Sequence, residues 1–280
     1  MEDHPLPTCL YHYTDAHGLV GILQSQTIWA TNLHYLDGSE EFDYTVGLAK
    51  RVVRERAQAT TDAREREALA SFDAQLSTGG SLRVCVVSFS EVGDSLSQWR
   101  AYCPNGAGYS LGFVAGRMIN EAATQGLFFG PCRYDEASQH GIMERALNGV
   151  MQSASWTQAL KDPEPDPAAP GVIDTWLDHF LMTAATFKPA AFREEREWRL
   201  ISRPRSGLDP RWRVRAGRSM LIPYVPVNLT AVRPQIPIQE IVVGPTPHPD
   251  LAMKAVGVLL ASQSIQDCTI RHSSIPYRDE

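Results

Sequence analysis

The sequence predicts an α+β fold. β-prone stretches cluster in the middle of the chain and again near its end, and do not alternate regularly with helices. That segregation favours α+β over a doubly wound sheet. Composition agrees with a globular domain: 280 residues, 43% hydrophobic and 21% charged, enough to bury a sizeable core. No internal repeat is visible, and length alone permits one large domain or two small ones.

Taken in order, Leu10–Thr14 is β-prone, and Asp15 offers an N-cap to a short helix through Leu19, Ile22 and Leu23. Thr27–Leu33 is β-prone or extended. One helix runs from about Glu41 to Gln58. A second opens with Asp62 and Glu65 in capping-box positions and ends before Gly79-Gly80. Strands are expected at Leu82–Ser90, Ala107–Val114 and Leu127–Tyr134, then a helix from about Ala137 to Leu160. The prolines of DPEPDPAAPG, 162–171, forbid regular structure and predict a loop. A helix over Val172–Phe187 stops at Pro189. Strands follow near Arg193–Ser202, Arg211–Val225 and Gln239–Val243. A helix over Pro249–Ser262 and a strand at Cys268–His272 close the chain.

The formal net charge of -6 excludes a generic nucleic-acid binder. The five cysteines are scattered, with no CxxC pair, which argues against a disulfide framework or a cysteine zinc site. The eight histidines show no HExxH, so metal catalysis is not expected. The polar start lacks signal and transit patterns, and no apolar run reaches the roughly 18 residues of a membrane span. These features predict a cytoplasmic protein without a membrane partner.

Three segments carry chemistry-bearing residues. In Tyr11-His12-Tyr13-Thr14, a strand histidine among aromatics can bond a ligand hydroxyl while a ring stacks on a base. A core histidine explains the same pattern. In Ser88-Phe89-Ser90 two hydroxyls share one strand face, turned either to a cleft or to water. Trp99 and Tyr102, in the following QWRAY, lie on one side if that stretch is helical, for packing or for binding.

The third segment is Phe192-Arg193-Glu194-Glu195-Arg196-Glu197-Trp198-Arg199-Leu200-Ile201. As a strand it puts Arg193, Glu195, Glu197 and Arg199 on one face. Two carboxylates at i and i+2 repel unless cations compensate, and Arg193 and Arg199 are placed to do so. A solvated, salt-bridged strand is the plainer alternative. Nine arginines and no lysine fall between Arg193 and Arg218. They suit bidentate phosphate recognition or a surface charge network.

Two further patterns weigh little. Gly108-Tyr109-Ser110-Leu111-Gly112 matches the G-x-S-x-G nucleophile elbow, but the alternation of Tyr109, Leu111 and Phe113 reads as continuous strand. Gly244-Pro245-Thr246 precedes a helix N-terminus, where anions bind; a tight turn explains it as well.

In combination, LYHYTDAHGLVGILQSQTIWATNLHYL, VVSFSEVGDSLSQWRAYCPNGAGYSLGF, FREEREWRLI, IQEIVVGPT and IPYR resemble a bacterial family of unknown function along nearly the whole chain, which implies one domain over 1–280. Its usual Asn-Asp pair is replaced here by Asp37-Gly38, before Glu41. That family in turn resembles the ADP-ribosyltransferase fold. His12-Tyr13-Thr14 precedes a Gly18–Leu23 helix, with Gln26 in place of the usual glycine. Ser88-Phe89-Ser90 matches a Ser-x-Ser strand, and Glu195-Arg196-Glu197 matches a Glu-x-Glu motif.

The resemblance implies mixed β-sheets around a central cleft for NAD, taken as substrate. It gives Glu197 the role of stabilising an oxocarbenium-like transition state, and Glu195 that of activating or orienting the acceptor. His12 would hold the adenosine ribose, with Tyr13 and Thr14 beside it. Ser88 would support Glu197, with Ser90 beside it. Trp99 or Tyr102 would stack on nicotinamide or shape the cleft, and Arg193 and Arg199 would lie at the cofactor site beside the carboxylates. The expected function is ADP-ribosyl transfer to an unknown macromolecular acceptor, protein or nucleic acid, in a toxin or an antiviral (phage-defence) effector. A non-catalytic nucleotide or nucleic-acid sensor on the same fold is the second reading. A serine hydrolase using Ser110 is the third. Nicotinamide release separates the first from both others.

Overall fold

The computed structural model describes residues 5–36, 39–78, 84–103, 108–153, 180–203, 209–217 and 219–276. The Pro-rich stretch 162–171, Asp37-Gly38 and the Gly79-Gly80 helix stop lie outside these residues, as does the first half of the helix expected over 172–187. The architecture is α+β, built on one large mixed sheet.

The chain opens with β1 (Cys9–Asp15), α1 (Ala16–Ser25) and β2 (Thr27–Asn32). Asp15 caps α1 as its sequence position predicts, its side chain accepting from the Gly18 amide at 2.7 Å. A 3-10 turn, Leu33–Tyr35, leads to α2 (Ser39–Ala59) and α3 (Ala63–Thr78). β3 (Cys85–Ser90), α4 (Leu96–Tyr102), β4 (Gly108–Val114), α5 (Ala115–Thr124), β5 (Phe128–Pro131) and α6 (Glu136–Met151) follow. Residues 180–184 are helical. A 3-10 helix, Ala190–Glu195, precedes β6 (Glu197–Ile201). The end comprises β7 (Arg213–Ala216), β8 (Leu221–Asn228), β9 (Ile238–Val243), α7 (Pro249–Ser262) and β10 (Thr269–His272).

Two elements depart from the sequence reading. The strand expected from Arg193 begins only at Glu197. Arg196 adopts a left-handed φ of 43°, where a non-glycine residue is uncommon, and this turn separates the 3-10 helix from β6. Arg193, Glu195, Glu197 and Arg199 therefore do not share a strand face. The strand expected over Arg211–Val225 is a hairpin, with Arg213–Ala216 paired to Leu221–Tyr224. One helix, α5, is absent from that reading. It follows β4 directly, and Val114 at its N-cap makes no side-chain cap, so no start signal marks it.

The sheet runs β10-β9-β4-β1-β3-β2-β8-β7, with β6 on the other edge of β3 and β5 beyond β6. Among the named strands of the described residues, β9–β10 is the one parallel pair. β3 is the hinge of this arrangement. Along one edge it pairs with β6 from Val86 to Ser90. Along the other it meets β1 at Ser90 and β2 at Cys85 and Val86. β1 and β2 thus leave β3 at opposite ends, and the edge between them, at residues 87–89, is open.

Side-chain alternation on β3 and β6 sorts the two cores. Val87, Phe89, Trp198 and Leu200 enter a cluster with Leu10, Leu111, Phe113 and Ile241, covered by α1, α5 and α7. Val84, Val86 and Ile201 face the opposite way, into a cluster with α2, α3, α6 and Phe180–Phe187. Farther along that second face the residues turn polar: Ser88 lies opposite Arg199, and Ser90 opposite Glu197. The hydrophobic strip of the second core thus runs out into a polar patch.

Leu111 is fully buried at the centre of the first cluster, on β4 between β1 and β9. Leu111→Ala is expected to lower unfolding stability by about 2–5 kcal/mol, the usual cost of a core cavity, measured by chemical denaturation.

Candidate functional site

A cavity of about 600 Å³ opens over the unpaired edge of β3. That volume is typical of a small-molecule site. His12 from β1, Ser88 and Ser90 from β3, and Glu197 and Arg199 from β6 line it together, as do Thr14, Tyr102 and Glu195. His12 and Arg199, 187 positions apart in sequence, meet there because β1, β3 and β6 are neighbours in the sheet.

His12 bridges the gap in the sheet. Its Nδ1–H donates to the Ser88 carbonyl at 2.9 Å. Burial lowers the imidazole pKa, only partly opposed by that bond, so the ring is neutral at neutral pH. With Nδ1 carrying the proton, Nε2 is an acceptor, suited to a ligand hydroxyl.

Four charged groups meet at the base of the cavity. Glu197, 4% exposed, accepts from Lys188 Nζ at 2.7 Å and from Arg199 Nε at 2.7 Å. Lys188 Nζ also donates to Glu195 Oε2 at 2.5 Å. Burial by itself would raise the Glu197 pKa, but Arg199 and Lys188 outweigh it and bring the carboxyl to about 2. Glu197 is therefore ionised at any ordinary pH. Of the two arginines expected to compensate the carboxylates, Arg199 does so. Arg193 does not, because the left-handed turn at Arg196 leaves it on the exposed 3-10 helix, off the cavity.

Lys188 escaped the sequence reading. It is one of four lysines in the chain and sits in the apolar run LMTAATFKPAAF. A lysine inside such a run is the signal that could have found it, since a buried ammonium demands a partner. Its backbone is clamped: Gln139 Nε2 donates to the carbonyls of Lys188 at 2.8 Å and Arg133 at 2.6 Å. Tyr44 Oη in turn donates to Gln139 Oε1 at 2.5 Å. The Phe192 ring lies 4.9 Å from Nζ, within cation–π range. Other groups hold the carboxylate-bearing segments. The Glu197 amide donates to Tyr134 Oη at 2.7 Å, Arg199 Nη1 donates to the Ala185 carbonyl at 2.9 Å, and Ser90 Oγ donates to the Glu195 carbonyl at 2.8 Å.

Other expected ligand contacts are displaced. Trp99 is buried and off the cavity. Its ring meets Tyr13 edge-on at 4.7 Å, and its Nε1 donates to Asp94 at 2.8 Å. It is a packing residue because α4 turns this face inward. Tyr13 reaches the cavity wall, but its hydroxyl donates to the Val92 carbonyl at 2.7 Å and accepts from the Ser95 amide at 3.0 Å. Tyr102, on the outer side of α4, does line the cavity and is exposed. Ser110 is fully buried within β4, away from the cavity. It cannot meet a substrate, which removes the hydrolase reading. Gly244 sits where a side chain would meet the Gly108 carbonyl at 2.9 Å, so close packing accounts for this glycine.

Among the described residues no cluster of three or more His, Cys, Asp or Glu could hold a metal. No helix among them is long and apolar enough to cross a membrane.

Residues 98–200 match the sequence model of a family described as a protein of unknown function (DUF2971). No curated protein matches the chain. Among solved structures, the chain is similar to Thermus sp. 2.9 DarT in complex with NAD+, at 12% sequence identity over 98% of this chain and 99% of that one, with a TM-score of 0.37. It is similar to the same protein in complex with ADP-ribosylated ssDNA, at 12% identity over 98% of each chain, with a TM-score of 0.37.

The charge cluster generates a pH prediction. The folded Glu197 pKa is depressed, so its ionised form contributes stability above the ordinary carboxylate pKa of about 4.3. That contribution is lost as pH falls towards 2. Lys188→Met removes one cation from two carboxylates. It is expected to cost about 3–5 kcal/mol at pH 7 and to flatten the acid side of the stability–pH curve. Urea denaturation between pH 3 and pH 7 checks both; a variant curve parallel to wild type would show that Lys188 does not set the Glu197 charge.

Proposed function

We propose that this chain is an NAD-dependent ADP-ribosyltransferase acting on a macromolecule. One observation carries the reading: His12, Ser88 and Glu197, the three positions of the transferase-like motifs, line one cavity of about 600 Å³. The residue types suit the chemistry. In transfer, the bond from the ribose C1′ to the nicotinamide nitrogen breaks, and its electron pair leaves with nicotinamide. A positive charge develops on the ribose, and an ionised carboxylate stabilises it. The acceptor atom then bonds to C1′, and its proton passes to a base.

Glu197 takes the electrostatic role. Its two oxygens offer about four acceptor positions, so the bonds from Lys188 and Arg199 leave room for a ribose hydroxyl. Glu195, the more exposed carboxylate, is the base. His12 holds a ribose hydroxyl through Nε2, and Tyr102 shapes the cavity wall. Arg199 and Lys188 act through Glu197 and Glu195 and are positioning residues. All five cysteines are free, which suits a reducing, cytoplasmic setting. An effector of the toxin or phage-defence kind is the biological role that fits transfer to a cellular macromolecule.

One observation favours a binding-only sensor instead. Lys188 and Arg199 balance Glu195 and Glu197 charge for charge, which weakens the field that a developing cation would meet. Incubation of the protein with NAD labelled in its adenylate half and total cell lysate separates the two readings. Transfer predicts released nicotinamide and label in the protein or nucleic-acid fraction. Binding without release supports the sensor.

Glu197→Gln is expected to lower nicotinamide release by about 10²–10³ while NAD still binds. Near-normal turnover in the folded variant would take Glu197 out of the mechanism.

A further inference from the structure

We propose that the mouth of the cavity binds single-stranded nucleic acid, with one base stacked on Trp29 and the backbone phosphates on Arg213 and Arg215. This rests on the transfer reading only in calling the strand an acceptor; the binding itself does not.

Trp29 is an aromatic residue in an unusual place. It stands on β2 with 45% of its surface exposed, and it lines the cavity. Tyr224 of β8 stacks on it, with centroids 4.4 Å apart and rings inclined by 28°. The neighbouring residues Ile28 and Ala30 are fully buried on the other face of the strand. Trp29 thus belongs to the outward face, backed by one ring and open to the cavity mouth. The two stacked rings offer a flat platform at the cavity mouth, and a base is a flat partner that stacks on such a platform.

The register brings cations to the same face. Thr31 and Arg213 both lie opposite Tyr224, on either side of β8, and Arg215 lies opposite Ile222. Directly opposed residues of antiparallel strands share a face, so Arg213 and Arg215 stand beside the ring pair. Arg213 is exposed, and its Nη1 is braced by the carbonyls of Pro210 at 2.7 Å and Trp212 at 2.9 Å. Arg215 lines the cavity. Its Nε is buried and has no hydrogen-bond partner among the described residues. Arg211, by contrast, is paired with Asp209 at 2.7 Å and is not part of this surface.

Ring and arginines together fit an unpaired base with its phosphates. A duplex hides the faces of its bases, so the surface selects single strands. The formal net charge of -6 opposes polyanion binding elsewhere, which confines the contact to this patch.

The test is fluorescence anisotropy without NAD, using labelled DNA and RNA single strands of about 12 nucleotides, within the range one binding surface covers, and a duplex of the same sequence. The wild-type chain is expected to bind single strand over duplex. Trp29→Ala is expected to weaken binding about 5- to 150-fold, the effect of losing one stacked base, and Trp29→Phe to restore most of it. The double change Arg213→Gln, Arg215→Gln should flatten the salt slope by about 1.4, at about 0.7 per phosphate contact. A Trp29→Ala protein that binds within about twofold of wild type overturns the proposal, as does equal affinity for duplex. So does a Trp29→Ala protein that loses NAD affinity but keeps the strand; the ring then serves the adenine of the dinucleotide. Strand binding without any nicotinamide release leaves this inference standing and removes the transferase reading.

Discussion

The constraint on which the site depends is the burial of three charges, Lys188, Arg199 and Glu197, in contact with the half-buried Glu195. An unpaired ion in a protein interior costs several kcal/mol, so Lys188, Arg199, Glu195 and Glu197 must be delivered to one place with little tolerance. The surrounding structure reads as the means of delivery. Gln139 clamps the main chain of Lys188, and Tyr44 sets the orientation of Gln139. Ser90 ties down the end of the 3-10 helix at Glu195, and Tyr134 receives the first amide of β6. Even the unfavourable backbone at Arg196 fits this account. A regular strand would put Glu195 and Glu197 in line on β6. The left-handed turn takes Glu195 off the strand and lets it approach the same ammonium.

The cavity follows from a second constraint, the way β3 shares its edge. A strand that paired fully with one neighbour would leave no opening. Here β1 and β2 each take one end of that edge, and α1 spans between them in sequence. The uncovered Ser88 carbonyl would be a buried orphan; the His12 ring supplies its donor. That single bond closes the backbone account and fixes the imidazole tautomer. The open edge and the charge cluster lie on two sides of the same serine pair, so the cavity has a hydrogen-bonding wall and an ionic floor.

Much of this was legible in the sequence. Alternation placed Ser88 with Ser90, and Glu197 with Arg199, on shared faces, and the capping position of Asp15 located α1. Motif order groups His12, Ser88 and Glu197 as a set. What failed has physical causes. Periodicity does not register one left-handed residue, so the strand was extended through Arg196 and wrongly carried Arg193 with it. Trp99 was misassigned because an amphipathic seven-residue helix does not reveal which of its sides faces inward. Lys188 was missed because its partners lie seven and nine residues away and are joined to it by a turn, a relation no strand or helix period expresses.

The charge balance of the cluster also bears on how a carboxylate locked in ion pairs remains usable. Lys188 contacts both carboxylates, at 2.5 Å to Glu195 and 2.7 Å to Glu197. Loss of the Glu197 contact therefore does not strand the ammonium, because Glu195 still neutralises it. Arg199 differs: its Nε is bonded to Glu197, while its Nη1 is held by the Ala185 carbonyl. It anchors Glu197 in place whatever Lys188 does. With one fixed cation and one shared cation, the Glu197 carboxylate can face a positively charged group at less cost than a simple buried pair, in which every new contact leaves an old partner unpaired. The second carboxylate is what makes the first available.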